Sequence, residues 1–482
     1  MEKALALNLP KPTLRILWVI NLFGLGYVLW LFGQALIESP INPDAGYFIP
    51  MGERIAAGQV PFRDLLVSHT SILLYIFALI STLFGGHAPY EAYLGVVIAA
   101  QFAGSILIFF IAAQIVGGVA VPLFSAVLVL ISSYAAEGTA IVLEPFVTLA
   151  VLAAVLIWSR SENDGAMKWF LSGALCGVAF VIKQYGLASL AAFTLAGMAH
   201  RSSRRTNFLI LLLLISGFLT AAFLYFGYFI LVKGISLETL LPVLLGAYYE
   251  RNPEGFLLFF LQYFVMHPFI LLVVLLLKEP HIRRDSVFQL LICMLIAFLP
   301  VGLVRQYPHY HLLLLPFSAL LFLYVLSDMA KIARGRNALL AVTFILLGSL
   351  LFYHCSEASS QMRKMSRMQQ LAVLEKLSPH LSPGERVLPI ADPALYVLGN
   401  FRSADDLCFG YNFFEVLRDA ELIRCLTQLK GASILIDRKS RYFHLVSRRL
   451  KTQGEDLNLL LARLGWRKST VLPDNYEIWK HP

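Results

Sequence analysis

The stretch ILWVINLFGLGYVLWLFGQALI, residues 16–37, is the first of many long apolar segments and decides the class of fold. It contains 22 residues without a charged side chain. A helix of about 20 residues crosses the ~30 Å hydrocarbon core of a bilayer. The segment is too long for the apolar region of a cleaved signal peptide, and no clear cleavage site follows it. We therefore expect an uncleaved first membrane span.

The whole chain has the composition of a multi-pass membrane protein. Its 482 residues are 58% hydrophobic and only 14% charged, and its mean hydropathy is +0.71. Because unpaired backbone groups are costly in lipid, the spans should be helices. The candidate apolar segments are 14–36, 71–86, 92–115, 118–134, 143–158, 169–183, 186–199, 207–232, 257–277, 286–304, 309–327 and 337–354.

The basic residues indicate the topology of these segments. A net charge of +9 is also found in nucleic-acid-binding proteins, but here Lys and Arg cluster in the connections between apolar segments. The positive-inside rule places all these clusters in the cytoplasm only if the short segment 71–86 does not cross. We place it at the outer leaflet, after the amphipathic stretch 47–57. About 11 crossings remain, with a cytoplasmic N-terminus and no nucleic-acid partner.

The chain changes character after residue 354. Charged residues become dense, and 386–391, 432–437 and 476–479 have the pattern of short strands, with helical patterns at 411–430 and 441–464. Strands that alternate with helices predict a small α/β domain. The predicted fold is an all-α polytopic membrane bundle over 1–354, with outer-leaflet juxtamembrane helices and a periplasmic first loop at 37–70, followed by a periplasmic α/β domain at 355–482.

Asp44 is the first candidate for chemistry, in the stretch Asn42-Pro43-Asp44-Ala45-Gly46-Tyr47 just after the first span. A carboxylate at the membrane surface can act as a general base on a lipid-linked substrate. Asp is also favoured at the N-cap of a helix, and the two roles are compatible.

The same loop continues with two further polar groups. Arg63 and Asp64 are adjacent, and the plain interpretation of Asp64 is a solvated turn with a local ion pair. His69 precedes an apolar segment, where a histidine is more often structural than catalytic. Arg63 and His69 are retained as candidate substrate-binding residues.

Two charged residues lie at the outer ends of predicted spans. Glu144 precedes Pro145; it is either a carboxylate stabilised by a helix N-terminus or a second acid beside Asp44. Lys183 either extends to the lipid headgroups or binds the phosphate of a lipid carrier.

A second polar corner follows the tenth apolar segment. It contains Arg305, His309 and His311 together with two tyrosines, so it is either an aromatic belt or an anion and substrate site. Arg305 and His309 are candidates for binding the donor phosphate. His311 is a candidate for binding the substrate, as are Tyr248 and Tyr249 of the outer loop 233–256. We expect all these groups to share one vestibule on the outer side.

Several motifs are absent from the sequence. It contains no Walker A loop, no G-x-G-x-x-G after a strand, no H-E-x-x-H and no G-x-S-x-G, which disfavours nucleotide-driven transport and hydrolase chemistry. No metal ligands or cofactor motif can be assigned, although a divalent metal is left open.

The residues resemble those of the membrane GT-C glycosyltransferases, in particular the dolichyl-phosphate-mannose-protein mannosyltransferases and the bacterial lipid A aminoarabinose transferases. The resemblance covers most of residues 14–354. The stretches that carry it are Pro43-Asp44-Ala45-Gly46-Tyr47, Gly58-Gln59-Val60-Pro61-Phe62-Arg63-Asp64, His69 leading into Leu73-Leu74-Tyr75, Leu83-Phe84-Gly85, Leu143-Glu144-Pro145, Gly177-Val178-Ala179-Phe180-Val181-Ile182-Lys183-Gln184, and His309-Tyr310-His311 followed by Leu315-Pro316.

This resemblance implies a polyprenyl- or dolichyl-phosphate-sugar donor, an outward-facing site and a catalytic base in the first loop, which is Asp44 here. Several relatives have Glu directly after this Asp, whereas this chain has Ala45. That difference argues against a metal or two-acid arrangement in the loop and leaves Glu144 as the second acid.

The functional hypothesis is an inverting glycosyltransferase of the EC 2.4 class. It moves a sugar from a polyprenyl-phosphate-linked donor to an envelope glycan, lipid or protein at the outer face of the bacterial inner membrane, in contact with membrane lipids. The alternative is a flippase or exporter of lipid-linked sugars, which needs polar groups through the depth of the membrane. A non-catalytic scaffold is a third possibility.

Overall fold

A computed structural model describes residues 11–65, 67, 72–160, 165–200, 204–244, 257, 260–261, 282, 285–303, 307–332, 367–403, 423, 426–427, 429, 431–451, 454, 456–472 and 475–481. The chain forms two units. The first unit is Met1–Leu36, Gly95–Val232 and Tyr249–Arg363. The second unit is Ile37–Leu94, Lys233–Tyr248 and Lys364–Pro482, so it combines the first loop with the C-terminal region. The predicted domain boundary at 354 lies in 333–366, outside the described residues, and stays a prediction.

Helices make up most of the described chain. In chain order they are α1 Lys11–Glu38, α2 Ala45–Ala56, α3 Leu73–Leu83, α4 Tyr90–Val116, α5 Ala120–Ala135, α6 Glu144–Arg160, α7 Ala166–Ile182, α8 Leu187–His200, α9 Arg204–Gly227, α10 Leu237–Leu244, α11 Ser286–Phe298, α12 Leu315–Ile332, α13 Arg367–Leu377, α14 Ala394–Gly399, α15 Arg441–Lys451 and α16 Leu457–Arg463. Short 3₁₀ turns at Gln184–Gly186, Leu299–Leu303 and Pro308–Leu313 connect several of them.

Three helices of the described chain are long and apolar enough to cross a membrane: Thr13–Glu38, Tyr90–Val116 and Arg205–Val232. Shorter apolar helices lie between and after them. The chain is therefore a membrane protein with a mainly helical fold, as predicted. The count of about 11 crossings stays a prediction.

Helix α3 is the observed form of the apolar segment 71–86. It has 11 residues, which gives a length of about 16 Å at 1.5 Å per residue. The hydrocarbon core is about 30 Å thick, so this helix alone is too short to cross it. Its length supports the predicted position at one leaflet.

Helices α7 and α9 pack closely through glycines. A Cβ on Gly217 of α9 would lie 2.0 Å from the carbonyl oxygen of Phe170, and one on Gly173 of α7 would lie 2.1 Å from that of Leu214. Small residues let membrane helices approach closely enough for strong van der Waals packing. The close packing fixes α7, whose last residue directly precedes Lys183.

The C-terminal region forms a five-stranded sheet with the order β2-β1-β3-β5-β4. The strands are β1 Arg386–Ile390, β2 Arg402–Ser403, β3 Ser433–Asp437, β4 Arg467–Val471 and β5 Tyr476–Lys480. β1 is parallel to β2 and β3, whereas β5 is antiparallel to β3 and β4. The predicted α/β character and the three predicted strands are confirmed.

The helical pattern predicted at 441–464 is divided into α15 and α16. Gly454, three residues after the end of the first helix, has a positive φ of 71° and donates its amide to the Lys451 carbonyl at 3.0 Å. The Asp456 side chain accepts hydrogen bonds from the Asn458 and Leu459 amides, which starts the second helix. Most of the helix predicted at 411–430 lies outside the described residues.

Candidate functional site

A pair of charged side chains in the first unit is positioned by the ends of two helices. α6 begins at Glu144, with Pro145 in its first turn, where a helix N-terminus stabilises negative charge. α7 ends at Ile182, and Lys183 adopts an extended conformation with φ −156° and ψ 140°. A Cβ at Gly186 would lie 2.2 Å from the Ala179 carbonyl carbon, so only glycine permits the tight turn that follows Lys183.

Lys183 and Glu144 form a buried ion pair. The distance from Lys183 Nζ to Glu144 Oε1 is 2.6 Å. Glu144 is 0% exposed and Lys183 only 6%. The interpretation of Lys183 as a side chain that extends to the headgroups is therefore wrong, because its ammonium group lies inside the protein.

Two tyrosine rings flank the ammonium group of Lys183. Lys183 Nζ lies 5.1 Å from the ring centroid of Tyr185 and 5.0 Å from that of Tyr310. The two rings are almost perpendicular, and their hydroxyl oxygens are 3.4 Å apart. A cation over an aromatic face is stabilised by the ring quadrupole, so the two rings add a favourable contact to the Lys183 ammonium group.

The second oxygen of Glu144 has no such partner. Within the described residues, Glu144 Oε2 is buried and accepts no hydrogen bond. A buried carboxylate oxygen normally has a donor, and a group without one is a candidate for contact with water or a ligand. The pair thus combines one satisfied and one available acceptor.

His309 lies beside this pair on the turn Pro308–Leu313. Its Nδ1 is 2.9 Å from Glu137 Oε2, and its ring stacks on Tyr307 with centroids 5.3 Å apart. The next residue, Tyr310, is one of the two tyrosines that flank Lys183. The turn is tied to α6, because the hydroxyl group of Thr148 donates to the Leu312 carbonyl at 3.2 Å.

Asp44 lies in the second unit, directly before α2. Its backbone carbonyl accepts hydrogen bonds from the Tyr47 and Phe48 amides at 3.0 and 2.8 Å, as at a helix start. Its side chain makes no capping hydrogen bond. Asp44 therefore occupies the predicted N-cap position of α2, but its carboxylate does not cap the helix.

Arg63 and Asp64 form the local ion pair that the sequence suggested. Arg63 Nη2 lies 2.8 Å from Asp64 Oδ2, and the same carboxylate accepts from the Val60 amide at 2.8 Å. The hydrogen bonds from Arg63 and from the Val60 amide lower the pKa of Asp64 to about 2. Asp64 thus stabilises this turn, and it engages the exposed guanidinium of Arg63, the residue proposed for substrate binding.

The described chain is similar to solved structures over almost its whole length, although no protein-family profile and no curated protein sequence matches it. ArnT from Cupriavidus metallidurans bound to undecaprenyl phosphate has a TM-score of 0.63 at 12% identity, covering 96% of this chain and 97% of that chain. The same protein in its apo state gives 0.56. This chain has a GT-C fold.

A second GT-C protein gives the same result. AglB, the oligosaccharyltransferase of Archaeoglobus fulgidus, in complex with an inhibitory peptide and a dolichol phosphate, has a TM-score of 0.54 at 12% identity, covering 91% of this chain and 72% of that chain. The resemblance in the sequence is thereby confirmed at the level of the fold. At 12% identity, the similarity shows the fold alone.

The GT-C fold brings some of the sequence-predicted residues together. Glu144, Lys183 and His309 form one neighbourhood in the first unit, and His311, which is 2% exposed, is buried two residues after His309. Asp44 and Arg63 belong to the second unit. Arg305, His69, Tyr248 and Tyr249 lie outside the described residues.

Sequence reasoning missed the contacts of three residues in this candidate site. Tyr185 and Tyr310 enclose Lys183, and Glu137 pairs with His309. The signals in the sequence were weak: Tyr185 lies two residues after Lys183, Tyr310 follows His309, and Glu137 lies in a predicted outer connection. Among the described residues, no cluster of three or more His, Cys, Asp or Glu side chains could hold a metal ion.

Proposed function

We propose that this protein is a glycosyltransferase that moves a sugar from a polyprenyl-phosphate-linked donor to an acceptor in the cell envelope. The observation that carries the proposal is the buried Lys183–Glu144 pair in a chain whose fold matches, over 96% of its length, a structure bound to undecaprenyl phosphate. A fold alone does not define an activity, so the assignment depends on what the site residues can do.

Lys183 is proposed to bind the donor phosphate. An ammonium group has three N–H donors, so it can donate to Glu144 and to a phosphate oxygen at the same time. In a buried site of low dielectric, such a cation stabilises the charge that develops on a phosphate leaving group. Glu144 then holds the lysine in place, and His309 and Arg305 are proposed as further donors to the phosphate.

Asp44 is proposed as the general base. It removes the proton of the acceptor hydroxyl group while the acceptor oxygen attacks the anomeric carbon of the sugar. The bond between the anomeric carbon and the phosphate oxygen breaks, its electron pair leaves with the polyprenyl phosphate, and Asp44 passes its proton to solvent. The transition state resembles an oxocarbenium ion, and a single displacement inverts the anomeric configuration.

The remaining sequence-predicted residues complete the proposal. Arg63, His69 and His311 are proposed to contact the sugar or the acceptor, together with Tyr248 and Tyr249. The acceptor is an envelope glycan, a lipid or a protein. The reaction is placed at the outer face of the bacterial inner membrane, with a periplasmic C-terminal region, because the basic connections of the chain favour that orientation.

The experiment is a donor turnover assay in proteoliposomes. The purified protein is supplied with undecaprenyl-phosphate-linked hexose, pentose and aminosugar donors and with extracted envelope glycolipids and glycans, or with cell-envelope protein, as acceptors. We expect released undecaprenyl phosphate and an equal amount of sugar on an acceptor, with inverted configuration by NMR. Movement of intact donor across the bilayer without phosphate release would instead establish the flippase alternative and overturn the proposal.

A further inference from the structure

The loop that carries Asp44 is held by a side chain from the far end of the sequence. Gln370 of α13 pairs with the backbone of Ile41 at both of its polar groups. The Ile41 amide donates to Gln370 Oε1 at 2.8 Å, and Gln370 Nε2 donates to the Ile41 carbonyl at 2.8 Å. The Gln370 amide thus pairs with the N–H and C=O groups of Ile41 as the backbone of a neighbouring β-strand would.

This double hydrogen bond is buried and specific. Gln370 is only 9% exposed, so the polar groups that it pairs have little access to water. A buried backbone N–H or C=O that loses its partner is costly, because it is left without either water or protein to bond. Only a side chain with a donor and an acceptor side by side satisfies both groups of Ile41, which is the pattern of a primary amide.

Two further contacts hold the same loop on either side of Asp44. Before it, Arg367 of α13 donates from Nε to the Ser39 carbonyl at 3.3 Å. After it, Gly46 packs so tightly on Pro393 that an added Cβ would lie 2.2 Å from the Pro393 carbonyl oxygen. The loop is therefore fixed at three positions, all by the C-terminal region of the second unit.

The backbone between Ile41 and Asp44 transmits this constraint. The Asn42 carbonyl accepts hydrogen bonds from the Ala45 and Gly46 amides at 3.0 and 3.4 Å, which closes a tight turn around Asp44. The backbone position of residue 44 sets the point from which the Asp44 carboxylate extends. A shift of Ile41 would move Asp44 with it.

We propose that Gln370 is a positioning residue that holds the Asp44 loop in the geometry required for proton removal. The inference rests on the proposed function, because it assigns Asp44 the role of base. It gives the C-terminal region a part in catalysis that acts through the position of the Asp44 loop.

The first test measures the loop itself and does not depend on activity. Gln370→Leu removes both hydrogen bonds, and Gln369→Leu makes the same change at the exposed neighbouring position. Hydrogen–deuterium exchange of full-length protein in nanodiscs should show faster exchange of residues 39–48 in Gln370→Leu only. Equal exchange in wild type and Gln370→Leu would overturn the proposal.

The second test measures turnover in the proteoliposome assay. A misplacement of about 1 Å costs up to roughly 10²-fold in rate, so Gln370→Leu should lower kcat about 10- to 100-fold. The donor KM and the amount of undecaprenyl phosphate bound per protein should stay at wild-type values, as should kcat in Gln369→Leu. An unchanged kcat beside faster loop exchange would also overturn the positioning role.

A conservative variant separates positioning from general loss of structure. In Gln370→Glu, the carboxylate accepts from the Ile41 amide but cannot donate to its carbonyl, whereas the protonated acid has one donor and one acceptor, as the amide does. The ratio of kcat in Gln370→Glu to that in wild type should therefore rise as the pH falls from about 8 to about 5, because burial raises the pKa of a carboxyl group. A pH-independent ratio would contradict the proposal.

The two hypotheses fail differently. If wild type transfers no sugar with any donor, the proposed function is wrong and with it the positioning role, while the exchange data still show whether Gln370 holds the loop. If wild type is active and Gln370→Leu is equally active, only the positioning role is wrong.

Discussion

Lys183 Nζ lies 2.6 Å from Glu144 Oε1, and the two side chains come from the ends of different helices. Both are buried, with Glu144 completely removed from solvent. A buried ion pair is tolerated because each charge is the partner of the other, so removing one leaves an uncompensated charge. The pair is therefore a structural unit as well as the proposed donor site.

The stability of this unit should depend on both members together. Glu144→Leu or Lys183→Met alone should destabilise the protein by about 3–5 kcal/mol, because a buried charge loses its partner. The double variant should recover most of that loss. Thermal unfolding in detergent measures the effect, and simple addition of the two losses in the double variant would show that the pair is not coupled.

Donor binding should be weaker in the same double variant. With the ion pair replaced by apolar side chains, the protein lacks the ammonium group proposed to meet the phosphate. Undecaprenyl phosphate should bind at least about 10-fold more weakly, because a charge-assisted hydrogen bond contributes about 1.5–3 kcal/mol. Equilibrium binding in nanodiscs measures this, and wild-type affinity in the folded double variant would limit Lys183 to a structural role.

Asp44→Asn should abolish most turnover without loss of stability. A positioned general base contributes roughly 10²–10⁴-fold in rate, whereas asparagine keeps the size and shape of aspartate, and the Asp44 side chain makes no capping bond to α2. The melting temperature and donor affinity should match wild type. Glu38→Gln, at an exposed acid six residues earlier, is the matched control and should keep full activity. Wild-type turnover in Asp44→Asn would reject it as the base.

Gly46→Ala should destabilise the second unit. The new Cβ would lie 2.2 Å from the Pro393 carbonyl oxygen, which forces the backbone of the loop or of α14 to move. Overpacking of this kind costs about 1–3 kcal/mol or more. Gly33→Ala in α1 is the control, because its Cβ would meet nothing within 4 Å. Equal melting temperatures for the two variants would contradict this tight contact.

The C-terminal sheet should lose stability in acid through Glu477. Burial alone would raise the pKa of this carboxyl group, but hydrogen bonds from Arg438 at 2.6 Å and Lys468 at 3.1 Å outweigh burial and lower the pKa below its usual value. A carboxyl group whose pKa is lower in the folded than in the unfolded state stabilises the folded protein. This stabilisation is complete above the pKa of the unfolded state, about 4.3, and is lost as the pH falls through the pKa of the folded state.

Hydrogen exchange of residues 476–480, corrected for intrinsic rates, should therefore show reduced protection below about pH 4. In Glu477→Gln, residues 476–480 should exchange faster than in wild type at pH 7. Their protection should not fall further below about pH 4, because the variant has no carboxyl group at this position. The same acid dependence in both proteins would assign the effect to other carboxylates.

The class of fold could be predicted from the sequence alone, as could the importance of two charged residues that the structure pairs, Glu144 and Lys183. Long runs without charge, such as residues 16–37, must form helices in lipid, because only helices satisfy their own backbone there. Alternation of short apolar runs and helical patterns likewise predicted the C-terminal strands, confirmed at β1, β3 and β5. Glu144 and Lys183 were identified by residue type and by their positions at the ends of spans.

Only the tertiary structure decided how these residues are used. Lys183 meets Glu144 across 39 positions of sequence, Tyr185 meets Tyr310 across 125, and Gln370 meets Ile41 across 329. Periodicity reports which residues share a face of one helix or strand, but not which faces meet. Those contacts follow from the packing of α6 against α7 and against the turn Pro308–Leu313, and from the burial of the first loop against the C-terminal region, where backbone groups and charges removed from water must find partners.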